Sequence, residues 1–321
     1  MTDINNYKSI KLSKQFYEHS TKTFTQILDE LDPYDIYADA NSPLKTLDPY
    51  ERQLRRFDIK VKGDDADNVK KFFETNETAL LFPEFVNRKI NHGYESNAVL
   101  SHVIGYHSYY LNNNYDSFID CELTKTDIGI YKLKKDLYGE IKPLYINLDV
   151  IYESIKDLSL NSFGVILNSM GNALAYDTFN YCIKRIIESY INKDDSIRIK
   201  DVTYKRIISI MNLSYGLDTI VCDLDTLSKI LTLPELESYI DSNKPGIYKT
   251  NIGINIIGCK SLKNEIVVLN STNAIKAVYG SKNKLNWKSL INSDFDKIEY
   301  VNKVGFYRLM DRSVIRCLVK E

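Results

Sequence analysis

Between Leu158 and Ile191, Phe163, Ile166, Leu167, Met170, Leu174, Tyr181, Ile183, Ile186, Ile187 and Tyr190 recur at the three- and four-residue spacing of a single helical face. At 1.5 Å per residue this predicts a continuous helix on the order of 50 Å long. Gly164 and Gly171 interrupt the stripe and mark either a bend or a close packing contact.

The segments on either side of this rod differ in character. After the polar break at 192–196 the chain reads as mixed α/β, with a helix at 203–213, a strand at Thr219–Cys222, a helix at 225–232 and short strands near 253–257 and 265–269. Residues 297–319 read as two long strands around a turn. Before the rod, Ile128 and Ile130, and then Leu144, Ile146 and Leu148, alternate with polar neighbours on either side of the charged stretch 132–140. That pattern predicts a long two-stranded loop over 118–148. Two strands alone are marginally stable, so such a hairpin rests on something else, a partner subunit being one candidate.

The first 83 residues hold four of the seven prolines, Pro33, Pro43, Pro49 and Pro83, and read as an arm of short helices joined by extended links. One helix carries Phe16, Tyr17, Phe24, Ile27, Leu28 and Leu31 and stops at Asp32-Pro33. A second starts at Asp48-Pro49-Tyr50-Glu51, with Asp48 as cap and Pro49 at the first helical position, and carries Arg52, Arg55 and Arg56 outward. A third follows Gly63-Asp64-Asp65 and presents Val69, Phe72 and Phe73 on one face. It leads into the apolar run from Ala79 to Val86, which needs burial.

Several function classes fall away on composition. At 321 residues the chain is long enough for about two domains that need neither disulfides nor metals. With 42 Lys+Arg against 43 Asp+Glu it lacks the basic excess of a dedicated polyphosphate binder. No apolar run approaches the ~18 residues of a membrane span, and the start lacks the apolar core of a signal peptide. Cys121, Cys182, Cys222, Cys259 and Cys317 are scattered singly and read as buried apolar groups.

Candidate chemistry is sparse. Asp223, Asp225 and Thr226 follow a buried strand as in haloacid dehalogenase-type phosphatases, but that motif wants one more residue before the Thr; otherwise Asp223 or Asp225 caps the next helix. Gly253 to Lys260 has the outline of a phosphate loop with apolar, strand-like residues inside it, and reads as a strand with glycine edges. His102 and His107 are five apart, off the spacing of a helical metal pair, and His19 and His92 have no completing carboxylates. No catalytic residue, cofactor or metal site is expected. Arg52, Arg55, Arg56, Lys60 and Lys62 form the densest basic cluster, a solvated or ion-pairing face before it is a nucleic-acid contact.

The segments Leu47–Gly63 (LDPYERQLRRFDIKVKG) and Lys71–Arg88 (KFFETNETALLFPEFVNR), followed in order by the charged hairpin and the long helix, resemble the major capsid proteins of tailed bacteriophages and prophages. The resemblance covers nearly the whole chain. It implies an α+β fold of the Hong Kong 97 type. Residues 1–83 would be the N-terminal arm, and 84–197 with 291–321 the peripheral domain, including the extended loop 118–148 and the spine helix 158–191. Residues 198–290 would be the axial domain.

The implied function is a structural shell subunit, without catalysis, that assembles into the pentamers and hexamers of an icosahedral head around double-stranded DNA. The head would be built in a bacterial host's cytoplasm with a portal and, since the chain starts almost at the arm, a separate scaffold protein or none. DNA would be touched non-specifically, and no membrane would be involved. Inter-subunit contacts are expected at Arg52, Arg55, Arg56, Lys132, Lys134, Lys135, Asp136 and Glu140. Members that weld subunits join a loop Lys to an Asn of a neighbour; Lys132, Lys134 or Lys135 with Asn302 on the closing turn are the matching residues, although lysines are expected on such a loop anyway. An encapsulin-type compartment around a cargo enzyme is the alternative, and a Mg-dependent phosphatase using Asp223 and Asp225 the alternative of another class. Arm, hairpin and rod cannot bury their apolar faces within one compact monomer, which favours closed rings of copies.

Overall fold

The computed structural model describes residues 24–31, 48–109, 117–127, 130–191, 196–214, 216–237, 241–244, 246–280, 284–289 and 295–320. In chain order these form α1 (Phe24–Leu31), α2 (Pro49–Arg56), a 3-10 turn (Val69–Phe73), α3 (Phe82–Glu95), β1 (Ile104–Tyr109), β2 (Ser117–Asp127), β3 (Ile130–Glu140), β4 (Lys142–Ile151) and α4 (Leu160–Tyr190). There follow β5 (Ile197–Ile199), α5 (Tyr204–Met211), β6 (Thr219–Cys222), α6 (Leu224–Leu231), β7 (Asp241–Lys244), β8 (Ile247–Lys249) and β9 (Asn255–Gly258). The chain closes with β10 (Glu265–Leu269), β11 (Ile275–Tyr279), β12 (Lys284–Ser289), β13 (Phe295–Arg308) and β14 (Val314–Val319). It divides into two compact units, one made of Met1–Gly93, Asn147–Gly171 and Leu285–Tyr300, the other of Tyr94–Ile146, Asn172–Lys284 and Val301–Glu321.

The first unit is organised around an aromatic cluster. Phe72, Phe82, Phe85 and Phe163 are all buried, with ring centroids 5.4 Å apart for Phe72 and Phe82 and 6.0 Å for the nearly parallel Phe82 and Phe163. In the 3-10 turn residues three apart eclipse, so Val69 and Phe72 point inward together while Phe73 is left on the flank, edge-on to Phe82 and Tyr152. The α-helical face expected for these three residues is thus replaced by a narrower one. The run ending at Val86 is buried as its composition demands, at Leu81, Phe82, Phe85 and Val86.

Helix α3 meets α4 at Gly93, where an added Cβ would lie 2.0 Å from the backbone oxygen of Asn168. Gly164, one of the two glycines singled out by sequence, is also a contact, covered by the stem of Lys89. Along α4 the buried row is Leu160, Phe163, Leu167, Leu174, Ala175, Phe179, Cys182, Ile183, Ile186 and Ile187. The expected stripe is slightly rotated: Ile166 is exposed and Met170 and Tyr181 are half-buried, while small residues such as Ala175 and Thr178 take inward places. The side chain of Tyr190 lies outside the described residues, as do Phe16 and Tyr17. Helix α1 ends at Leu31, one residue before the expected stop.

The second unit contains a seven-stranded sheet in the order β5-β14-β10-β6-β9-β8-β7. Pairing is antiparallel for β14-β10 and β10-β6 and parallel for β6-β9 and β14-β5. Ile220, Cys222, Ile256, Ile266, Val268 and Cys317 pack with Ile207 and Ile210 of α5 and Ile230 of α6. Their alternates Val221, Ile257, Val267 and Leu269 are fully buried as well, so neither face of the sheet's centre meets water. A second set of strands has β11 between β1 (parallel) and β13 (antiparallel). The two closing strands read from the sequence are both present but do not pair with each other: β13 joins β11, and β14 joins β10 and β5.

Candidate assembly surfaces

In the first unit the arm segment is fastened at both ends of α2. Asp48 accepts a hydrogen bond from the Glu51 amide at 2.9 Å and Pro49 occupies the first turn, as the sequence required. At the other end the Ile59 amide donates to the Leu54 carbonyl at 2.8 Å and the Asp58 amide to Arg55 at 3.1 Å, the paired bonds of a Schellman stop. Asp58 sits at φ 51° to allow it, a conformation that suits glycine better.

Arg88 of α3 then grips the arm. Its Nε donates to Glu84 at 2.8 Å, its other arm reaches Asp48, and its guanidinium lies 4.5 Å over the Tyr50 ring. Tyr50 donates to the Leu81 carbonyl at 3.2 Å, and its burial, with the Glu84 charge added, lifts its hydroxyl pKa well above the ordinary value. Sequence reading missed Arg88 because its partners come from a different element.

The expected arm contacts separate on inspection. Arg55 is exposed and Arg56 half-buried against the Phe57 ring at 5.1 Å. Arg52 is a correction: it is only 7% exposed and does not point outward. Helix α2 buries Tyr50, Gln53 and Leu54 on one side and Arg52 on the other, so the short helix is enclosed on more than one face.

In the second unit β2 and β3 form the expected antiparallel hairpin, from Ser117↔Glu140 to Asp127↔Ile130. Lys132 lies opposite Thr124 and Lys134 opposite Glu122. The register shifts between Asp120↔Leu137 and Glu122↔Lys134, where Cys121 faces the two residues Lys135 and Asp136, a bulge that re-aims the ribbon. At its base, the exposed Glu140 lies 3.4 Å from Lys142 and 4.0 Å from Arg185 of α4. Strand β4 shows the alternation read at Leu144, Ile146 and Leu148, yet these are only half-buried.

Asn302 corrects the crosslink expectation, because it sits inside β13 and not on a turn. It is fully buried and donates its amide to the Tyr94 hydroxyl at 2.8 Å, which puts it out of reach of a neighbour's lysine. Asp223 is a helix cap: Oδ1 accepts from the Asp225 and Thr226 amides at 3.1 and 2.9 Å, and Oδ2 from the Thr226 hydroxyl at 2.7 Å. Both oxygens are engaged within the chain, which leaves no in-line nucleophile of the phosphatase kind. Residues 255–258 are a strand of the sheet, as the glycine-edged reading had it.

Among the described residues no cluster of His, Cys, Asp and Glu is arranged to hold a metal. His102 bonds the Ala98 carbonyl at 2.8 Å, and His107 stacks on Tyr279 with burial lowering its pKa; His19 lies outside the described residues. Cys182, Cys222, Cys259 and Cys317 are buried and free, with thiol pKa values raised by burial, for Cys317 to about 12. Asn180 of α4, unremarked in the sequence, ties down the β9–β10 turn by accepting from the Lys260 amide at 3.1 Å and, at its backbone oxygen, from the Ser261 hydroxyl.

No family model and no curated protein matches the sequence. Solved structures do match by shape. A virus-like particle from Pyrococcus furiosus aligns with 73% of this chain and 96% of its own at 15% identity and TM-score 0.50. The SrpI encapsulin of Synechococcus elongatus PCC 7942 aligns with 66% of this chain and 84% of its own at 9% identity and TM-score 0.46. Mycobacterium phage Cain aligns with 70% of this chain and 90% of its own at 9% identity and TM-score 0.45. The fold is of the Hong Kong 97 type, mixed α and β, as the resemblance implied.

Proposed function

We propose that this chain is a shell subunit that assembles with copies of itself into pentamers and hexamers of an icosahedral phage head enclosing double-stranded DNA. The observation that carries the reading is the shape match to the Pyrococcus furiosus virus-like particle over 96% of that chain. The surfaces agree with it. A two-stranded ribbon of 11 residues per strand does not stand alone in water, and the row Leu144, Ile146, Leu148 is left half open. Arg55, Arg56, Lys132, Lys134, Lys135, Asp136 and Glu140 are the residues proposed to meet neighbouring copies. Portal and scaffold proteins are proposed partners, with DNA held non-specifically by a chain whose charges balance.

The test is electron microscopy with light-scattering mass on the full chain, expressed alone and with the products of neighbouring genes. Closed shells or capsomer rings support the reading, and nucleic acid inside them separates a phage head from a compartment loaded with protein. A stable 37.1 kDa monomer under every one of these conditions overturns it.

A further inference from the structure

The first unit contains two lysines set against each other. Lys89 of α3 lays its stem over Gly164 of α4, where an added Cβ would be 3.0 Å from its Cε and 3.2 Å from its Nζ, and its ammonium is 5.6 Å from the Phe85 ring centroid. The half-buried amine has its pKa lowered, first by burial and then by the charge of nearby Lys62. Among the described residues neither lysine makes an ion pair, although Lys60, Lys70 and Lys71 around them each hold a carboxylate. The helix residues that follow Gly164, Val165 and Ile166, stand 59% and 46% exposed.

A buried amine beside a like charge is costly unless an anion arrives. A polyanion suits the place poorly, because the adjoining loop carries Asp58, Asp64, Asp65 and Asp67. Apolar Val165 and Ile166 suit a protein surface. The chain as a whole has an acid for nearly every base, so the missing carboxylate is available on another copy.

We infer that Lys62 and Lys89, with Val165 and Ile166 beside them, form a docking point for an Asp or Glu carboxylate of a second copy of this chain. The inference rests on the shell reading above and names one of its contacts.

Its signature is that the two lysines oppose subunit folding and favour assembly. K89M keeps the apolar stem and removes the charge; it raises the melting temperature of the isolated subunit and raises the protein concentration needed for assembly about tenfold. K62M shifts both in the same directions, and K89R, which keeps the charge, assembles like the unaltered protein. Carbodiimide coupling of mixed isotope-labelled assemblies then yields a cross-copy Lys89 to Asp/Glu peptide. Failure of the unaltered chain to assemble overturns the shell reading, and this inference with it. Normal assembly of the unaltered chain together with unshifted assembly of K89M and K62M, or a K89M subunit that is less stable, overturns this inference alone.

Discussion

Asp58 holds a left-handed backbone at φ 51° to complete the stop of α2, and an L side chain there costs stability that glycine would not. Asp58→Gly is therefore expected to stabilise the chain by about 0.5 to 1 kcal/mol, the relief of strain being partly offset by the freer unfolded chain. A raised urea midpoint at unchanged slope checks it; an unchanged midpoint would show that the turn is not strained. Asp223 gives the opposite sign. Its carboxylate satisfies two amides at the start of α6, so Asp223→Ala loses about 1 to 2 kcal/mol in the same measurement, while Asp223→Asn, another good cap, loses much less. If Asp223 were a phosphatase nucleophile, Mg-dependent hydrolysis of a phosphate ester would fall in the Asn variant; the cap geometry predicts equal rates.

At the scale of elements, the crossing of α3 and α4 depends on Gly93. A methyl group placed 2.0 Å from the Asn168 oxygen forces the helices apart, so Gly93→Ala costs about 1 to 3 kcal/mol even though alanine is the better helix former. Thermal unfolding of that variant beside a Gly171→Ala control reads the difference. The sequence revealed elements whose signals are local: the Asp48-Pro49 cap, the strand Thr219–Cys222 and the alternation in β4 follow from residues a few places apart. It did not reveal Gly93, the inward turn of Arg52 or the Arg88 clamp. Those are decided by residues distant in the chain, and no spacing rule predicts which side of a short, enclosed helix meets a neighbour. Assembly contacts were least legible, since a lysine on a solvated loop and a lysine in an interface look alike in sequence.

For the whole molecule the stability of one copy and of the assembly are different quantities. Half-buried rows and an unsupported ribbon mean that a free subunit leaves apolar surface in water which a shell would cover. Partner copies bind only the folded form, so assembly raises the apparent stability by mass action and makes it depend on concentration. The expected outcome is a melting temperature that rises with protein concentration through the assembly threshold and levels off once shells are complete. Calorimetry on dilute subunits and purified shells checks it, and superimposable melts at every concentration would mean the exposed faces are not covered by copies. Thiol reactivity offers an independent reading. With Cys182, Cys222, Cys259 and Cys317 buried and their thiols held protonated, these four resist iodoacetamide at neutral pH in subunit and shell alike, and become modified only as the chain unfolds. Labelling during the melt therefore reports unfolding of the core and ignores mere dissociation. A shell that dissociates before it unfolds will show loss of light scattering at a temperature where the four cysteines are still unlabelled, and simultaneous loss and labelling would instead show that the free subunit has no stability of its own.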